Sequence, residues 1–277
     1  MSHTHDTAPT RYIEANGIRF AYRRFGKTGG VPLLMNLHFR GTMDHWDPTV
    51  TDGLAQQREV ILFDNAGIGA SSGKVQASVA DMATDAIAFI KALGINKADV
   101  LGYSVGGKVA QEMALQAPDL VRKLILVGTG PRGADMSTSK SGDIFGAQYD
   151  PPEHLWIAAH FSPSPAGRAA GLAYLERKHR RRDRSPEVTE AAAGAQYEAI
   201  VKSNEKVEGG LDYLAGIHQP TLILEGHNDL IIPTINGFTL QQHLRNAQLI
   251  IYPDSSHAPF YQYPELFLAH AALFLDA

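Results

Sequence analysis

The stretch Val100-Leu101-Gly102-Tyr103-Ser104-Val105-Gly106-Gly107 constrains this chain more than any other. A short apolar run ends at a serine set in a Gly-x-Ser-x-Gly frame. Directly after it Val109, Ala110, Met113, Ala114 and Leu115 recur at helical spacing, and Pro118 closes the segment. Strand, turn and helix thus follow one another without a linker. A strained turn of this kind lifts a serine hydroxyl above the C-terminal edge of a sheet. Gly102 and Gly106 stand where a side chain would crowd the crossing, and Gly107 lets the helix lie close to the strand.

The rest of the chain supplies the sheet that such a turn needs. Residues 12–15 and 18–25 read as a hairpin around Asn16-Gly17, and residues 1–9 as a disordered polar lead. Apolar runs at 31–37, 59–63, 97–103 and 121–128 have strand length, and the amphipathic segment 79–93 reads as a helix closed by Gly94. Strands alternating with helices across short connections predict a doubly wound, mostly parallel twisted sheet with helices on both faces. The alternation breaks at Pro131 and resumes at Pro220, with strands at 221–224 and 247–252 and helices at 233–244 and 266–275. The organisation expected is a core of 10–130 plus 212–277, with 131–211 inserted as a helical lid whose helices lie at 166–176 and 188–203. The basic run 177–184 reads as a solvated helix end or loop.

A serine hydroxyl is a weak nucleophile at neutral pH, so it needs a base and a group that orients the base. The strand ends offer one candidate of each: Ser104, His257 after the last strand, and Asp229 after the strand before it. Asp254 is a rival acid but lies too close to His257 along the chain. The oxyanion of a tetrahedral intermediate needs two N–H donors. One is that of Val105, at a helix start; the second belongs to the loop after the 31–37 strand, His38-Phe39-Arg40. The small-residue loop 64–71 lacks the spacing of a nucleotide-binding loop and reads as structural.

Three segments, Gly102-Tyr103-Ser104-Val105-Gly106-Gly107, Leu224-Glu225-Gly226-His227-Asn228-Asp229 and Ser256-His257-Ala258-Pro259, resemble the triad motifs of the α/β-hydrolase fold superfamily. Their chain order, Ser, Asp, His, is that of its triads. The resemblance covers residues 10–277 and is nearest to small serine esterases, lactonases and cofactor-free haloperoxidase-like enzymes. It implies an α/β-hydrolase fold, a Ser104-His257-Asp229 triad and an acyl-enzyme, with no cofactor and no metal. The family's oxyanion loop usually reads His-Gly-x. Here it reads His38-Phe39-Arg40, and His38 to Trp46 is one residue shorter than the usual spacing. Deleting the family's glycine restores the alignment and makes Phe39 the donor, with Arg40 as the alternative. Arg40 also brings a guanidinium to the pocket, for a substrate oxygen or for pairing with Asp44 or Asp64.

The function expected is hydrolysis of a carboxylic ester or lactone. N-acyl homoserine lactone is a specific case. Carbon–carbon bond hydrolysis, haloperoxidase or dioxygenase chemistry, and a non-catalytic receptor role are the alternatives. Substrate contacts are expected from His38, Arg40, Tyr103, Tyr149, Trp156 and Phe161, with Ile144, Phe145 and Leu155 adding to an apolar wall for an acyl or aromatic group. The formal net charge of -4 gives no basic face for nucleic acid, and the absence of cysteine excludes disulfides and thiolate chemistry. No apolar run crosses a bilayer and residues 1–9 carry no secretory pattern, so a cytoplasmic monomer or homodimer is expected.

Overall fold

The computed structural model describes residues 3–206 and 208–277. Eight strands form one sheet: β1 (Arg11–Ala15), β2 (Ile18–Gly26), β3 (Leu33–Asn36), β4 (Glu59–Phe63), β5 (Ala98–Tyr103), β6 (Val121–Val127), β7 (Thr221–Gly226) and β8 (Ala247–Tyr252), in the order β1-β2-β4-β3-β5-β6-β7-β8. The first two pairings are antiparallel and the remaining five are parallel. The Asn16-Gly17 turn joins β1 to β2 with both residues at positive φ, as a two-residue hairpin requires.

Helices cover both faces, which is why the central strands are apolar on both sides rather than alternating with polar residues. On one face Leu33, Met35, Leu62, Leu101 and Ile125 pack with α1 (Pro48–Ala55) and α10 (Pro264–Asp276). On the other, Leu34, Ile61, Val100, Leu124 and Ile223 pack with α2 (Val79–Ala92), α3 (Val105–Gln116) and α8 (Ile235–His243). From β3 the chain steps to one side through α1 into β4. It then crosses back through α2 to β5 on the other side of β3. Strand order reverses there, and the crevice beyond the strand C-termini at such a reversal is where open α/β sheets place their ligands.

Between β6 and β7 lie the helices α4 (Ser141–Gly146), α5 (His154–His160), α6 (Pro165–Lys178) and α7 (Glu190–Ser203). The last two match the sequence expectation. The first two are short and were not legible in it. A further short helix, α9 (Pro259–Gln262), follows the β8 loop.

Two expectations are corrected. The N-terminal lead is ordered from residue 3, and His5 and Ala8 are buried. The His5 ring bonds Thr51 and packs edge-on against Phe25. Met1 and Ser2 lie outside the described residues. The basic run is not a solvated loop either. Arg177 forms a two-point pair with Asp47, at 2.9 and 2.6 Å, and Lys178 and Arg181 are buried. Arg181 donates to the carbonyls of His5 and Asp6. Arg177 and Arg181 tie the helical segment to α1 and the N-terminus, because burying a cation is tolerated only with acceptors to meet it, while Arg180 and Arg182 of the same run stay exposed.

Candidate active site

Ser104 stands between β5 and α3 at φ 59° and ψ -122°. A non-glycine residue occupies this region only when its surroundings force it. They do so on both sides: Ser104 N–H donates to Val127 O at 2.9 Å, and Ser104 O accepts from the Thr129 hydroxyl at 2.7 Å and from Gly107 N–H at 2.9 Å. A Cβ on Gly106 would strike the carbonyl oxygens of Asn36 and Leu37, so the start of α3 is pressed against the end of β3.

The Asp229 carboxylate is buried after β7. One oxygen accepts from the N–H groups of Ile231 and Ile232 at 2.8 and 2.9 Å, and the other meets His257 Nδ1 at 2.7 Å. Its two oxygens are thus fixed, and the ring of His257 with them. Asp254 does not take this place; its side chain accepts from Ser164 instead. Glu225, on β7, is wholly buried nearby. Burial first, and the Asp229 charge second, push its pKa well up, which favours the protonated form of Glu225. Ser104 and His257 line the same cavity of about 1000 Å³. Among the described residues the Ser104 hydroxyl meets no acceptor; such hydrogen bonds often close only with substrate in place.

Opposite the elbow, the loop after β3 presents Phe39 and Arg40. The Arg40 N–H donates to Gln196 Oε1 on α7 at 2.8 Å. Among the described residues the N–H groups of Phe39 and Val105 meet no acceptor. The Arg40 guanidinium pairs with Glu190 on α7, and neither Asp44 nor Asp64 is its partner. Asp44 is taken by Arg23 at 2.6 Å, and Asp64 by the N–H groups of Met43 and Ala70 and the Ser185 hydroxyl. The 64–71 loop thereby holds the segment that follows the His38-Phe39-Arg40 loop.

Of the expected substrate contacts, His38, Arg40 and Trp156 line the cavity, with Phe145 and Leu155 beside them. Tyr103, Phe161 and Tyr149 do not. Tyr103 sits beneath the site, 5.1 Å from the His257 ring and 5.2 Å from that of His38. Phe161 is buried against Tyr174 in the core below the helices. Tyr149 donates its hydroxyl to Ile144 O. Tyr103 is held at the end of β5, Phe161 at the end of α5, and Tyr149 by its bond back to α4.

Among the cavity residues that the sequence reading gave no role are Lys108, His160 and Tyr197, and Gln196 lies behind the loop, outside the cavity lining. Lys108 had a signal, lying four residues after Ser104 on a helix and hence on the same face. His160 had none. It packs 4.7 Å from the His38 ring and 5.4 Å from that of Trp156. Burial lowers the His38 pKa to about 3 and holds His45 and His160 well below the usual range, so these three rings are neutral. Among the described residues no group of three or more His, Cys, Asp or Glu side chains is arranged to hold a metal ion. None of their helices is long and apolar enough to cross a membrane.

A serine on a strand-to-helix turn, faced by a histidine held by a buried aspartate at the C-terminal edge of a parallel sheet, defines the class of α/β hydrolases. The chain belongs to that family: the alpha/beta hydrolase fold matches residues 32–264. It is 32% identical over 255 residues to a pimeloyl-[acyl-carrier protein] methyl ester esterase of Nitrosomonas europaea, covering 87% of this chain and 95% of that protein. An alpha/beta hydrolase fold protein from Chitinophaga pinensis superposes with a TM-score of 0.93 at 41% identity, over 99% of this chain and 100% of that one. The N-acyl homoserine lactone degrading enzyme Est816 superposes at 0.73 with 22% identity, over 95% and 100% of the two chains, a likeness of fold.

Proposed function

We propose that the protein is a serine hydrolase that cleaves a carboxylic ester or lactone through an acyl-enzyme. The observation that carries this reading is the Asp229–His257 bond of 2.7 Å sharing one cavity with the strained Ser104. His257 Nδ1–H is fixed by Asp229, which leaves Nε2 as the base. Ser104 Oγ attacks the carbonyl carbon as Nε2 takes its proton, and the carbonyl oxygen becomes an oxyanion. The Phe39 and Val105 N–H groups, uncommitted among the described residues, receive that oxygen, and the start of α3 adds its dipole. Collapse expels the alcohol, protonated by the imidazolium. Water, deprotonated by His257, then attacks the acyl carbon and releases the acid and Ser104. The N–H of Arg40 is engaged by Gln196, which favours Phe39 over Arg40 as the second donor.

Residues 131–211 act as the lid in this reading. Trp156, Phe145, Leu155, Ile231 and Ile232 give the cavity an apolar wall suited to an acyl or aromatic group. The esterase named among the relatives supports ester cleavage. We place the protein in the cytoplasm as a monomer or homodimer, and the net charge of -4 argues against nucleic acid as a partner. A fluorophosphonate probe is expected to label Ser104, and short or medium p-nitrophenyl esters to be hydrolysed. A folded protein that neither labels nor turns over any ester or lactone would overturn the reading.

A further inference from the structure

Lys108 occupies an unusual position. It lies on α3 four residues, or about one helical turn, beyond Ser104, lines the same cavity, and is only 4% exposed. Its Nζ donates to Pro131 O at 2.7 Å and to Asn204 Oδ1 at 2.8 Å. Both acceptors are neutral. An ammonium has three donors, so one remains. No carboxylate meets it: Glu112, on the same helix, is taken up by Arg132 in a two-point pair at 2.7 Å, and Asp135 and Glu205 of the cavity wall do not bond it.

This placement is costly twice over. The cation is buried with no carboxylate bonded to it, Glu112 acting on it only through space while paired to Arg132, and it stands near the positive end of a helix dipole. Burial accordingly lowers its pKa to about 7. A structural role does not require the charge. The backbone that Lys108 touches is already bound to α3, since Gln111 Nε2 donates to Gly130 O at 3.1 Å and Arg132 pairs with Glu112.

We propose that Lys108 is the anion-binding end of the substrate site, and that the substrate is an ester or lactone whose acyl part carries a carboxylate a few bonds from the scissile carbonyl. The carbonyl sits at Ser104 between the N–H groups of Phe39 and Val105. The acyl chain runs along the inner face of α3, and its carboxylate takes the remaining Lys108 donor. The anion supplies the counter-charge that the protein withholds, so a neutral acyl group of the same length leaves the ammonium unpaired and is discriminated against. This inference rests on the serine-hydrolase reading.

The test uses two matched series of p-nitrophenyl esters: half-esters of dicarboxylic acids from succinic to suberic, and neutral acyl chains of equal length. The wild-type protein is expected to favour the carboxylate by tenfold or more in kcat/KM at one chain length, with the difference in KM. Lys108→Met is expected to reduce that ratio at least tenfold, and Lys108→Arg to restore part of it. Should Lys108→Met fail to fold, the wild type decides: the dicarboxylate of the preferred length should compete with a neutral ester at concentrations at least tenfold below the diol of that length. Turnover of neutral esters with no carboxylate preference at any length, or an equal loss on both series in Lys108→Met, overturns the inference and leaves the hydrolase reading standing. Absence of turnover in both series together with an unlabelled Ser104 removes both.

Discussion

The Arg40 N–H donates to Gln196 Oε1 at 2.8 Å, joining the loop after β3 to a helix more than 150 residues further along the chain. The bond fixes the peptide plane that follows Phe39, and Arg40 holds a positive φ of 60° there. The Arg40 side chain reaches the same helix at Glu190. The oxyanion loop is therefore held by α7 as well as by its own strand. Gln196→Ala is expected to lower kcat on an ester about tenfold with little change in KM, because the loop positions the transition state rather than the ground state. Steady-state kinetics on one p-nitrophenyl ester check it; a rise in KM alone would place Gln196 in substrate binding instead.

Removing the nucleophile tests the triad most directly. Ser104→Ala and Asp229→Asn are each expected to lower kcat by a factor of about 10⁴. In Asp229→Asn the carboxamide retains an oxygen for the N–H groups of Ile231 and Ile232 but presents an N–H to His257 Nδ1, favouring the wrong tautomer. Its fold should persist by circular dichroism while activity is lost.

Gly106 is required by contact rather than by conformation. A methyl group there meets two backbone oxygens, of Asn36 and Leu37, which cannot rotate away. Gly106→Ala is expected to cost about 3 kcal/mol or more, whereas Gly142→Ala, which meets nothing, should be near neutral. Thermal melts of the two variants make the comparison.

Four buried histidines set an acid limit on stability. Burial first lowers His5 and His38 to about 3 and holds His45 and His160 well below the ordinary histidine value of 6.5. Between these values and 6.5 the unfolded chain binds more protons, so their contribution is complete above pH 6.5 and is lost as pH falls towards 3. Asp64 opposes them: burial raises it from 3.8 to about 6, so the folded state holds its extra proton between those values. Glu225, also raised by burial, opposes the histidines in the same way; four histidines outnumber two carboxyls, so stability is expected to rise with a positive slope from pH 5 to 6.5. Urea unfolding at pH 5, 6 and 7 measures it, and His5→Gln, remote from the cavity, should reduce the slope by about one proton.

Much of this molecule was legible in its sequence because the constraints are local. The Gly-x-Ser-x-Gly frame can be read without the fold, since only small residues permit strand and helix to cross so closely; the apolar runs specify a sheet buried on both faces. Candidate residues at the ends of β5, β7 and β8 follow from the same pattern. What the tertiary structure alone decided depends on partners distant in the chain. Arg177 and Arg181 read as solvated charge until Asp47 and the His5 and Asp6 carbonyls met them. Arg40 found Glu190 rather than a nearer aspartate, and its N–H found Gln196. Tyr103, Phe161 and Tyr149 are as aromatic as Trp156, yet only Trp156 lines the cavity. Burial and pairing are properties of the assembled chain, and a residue's own chemistry does not contain them.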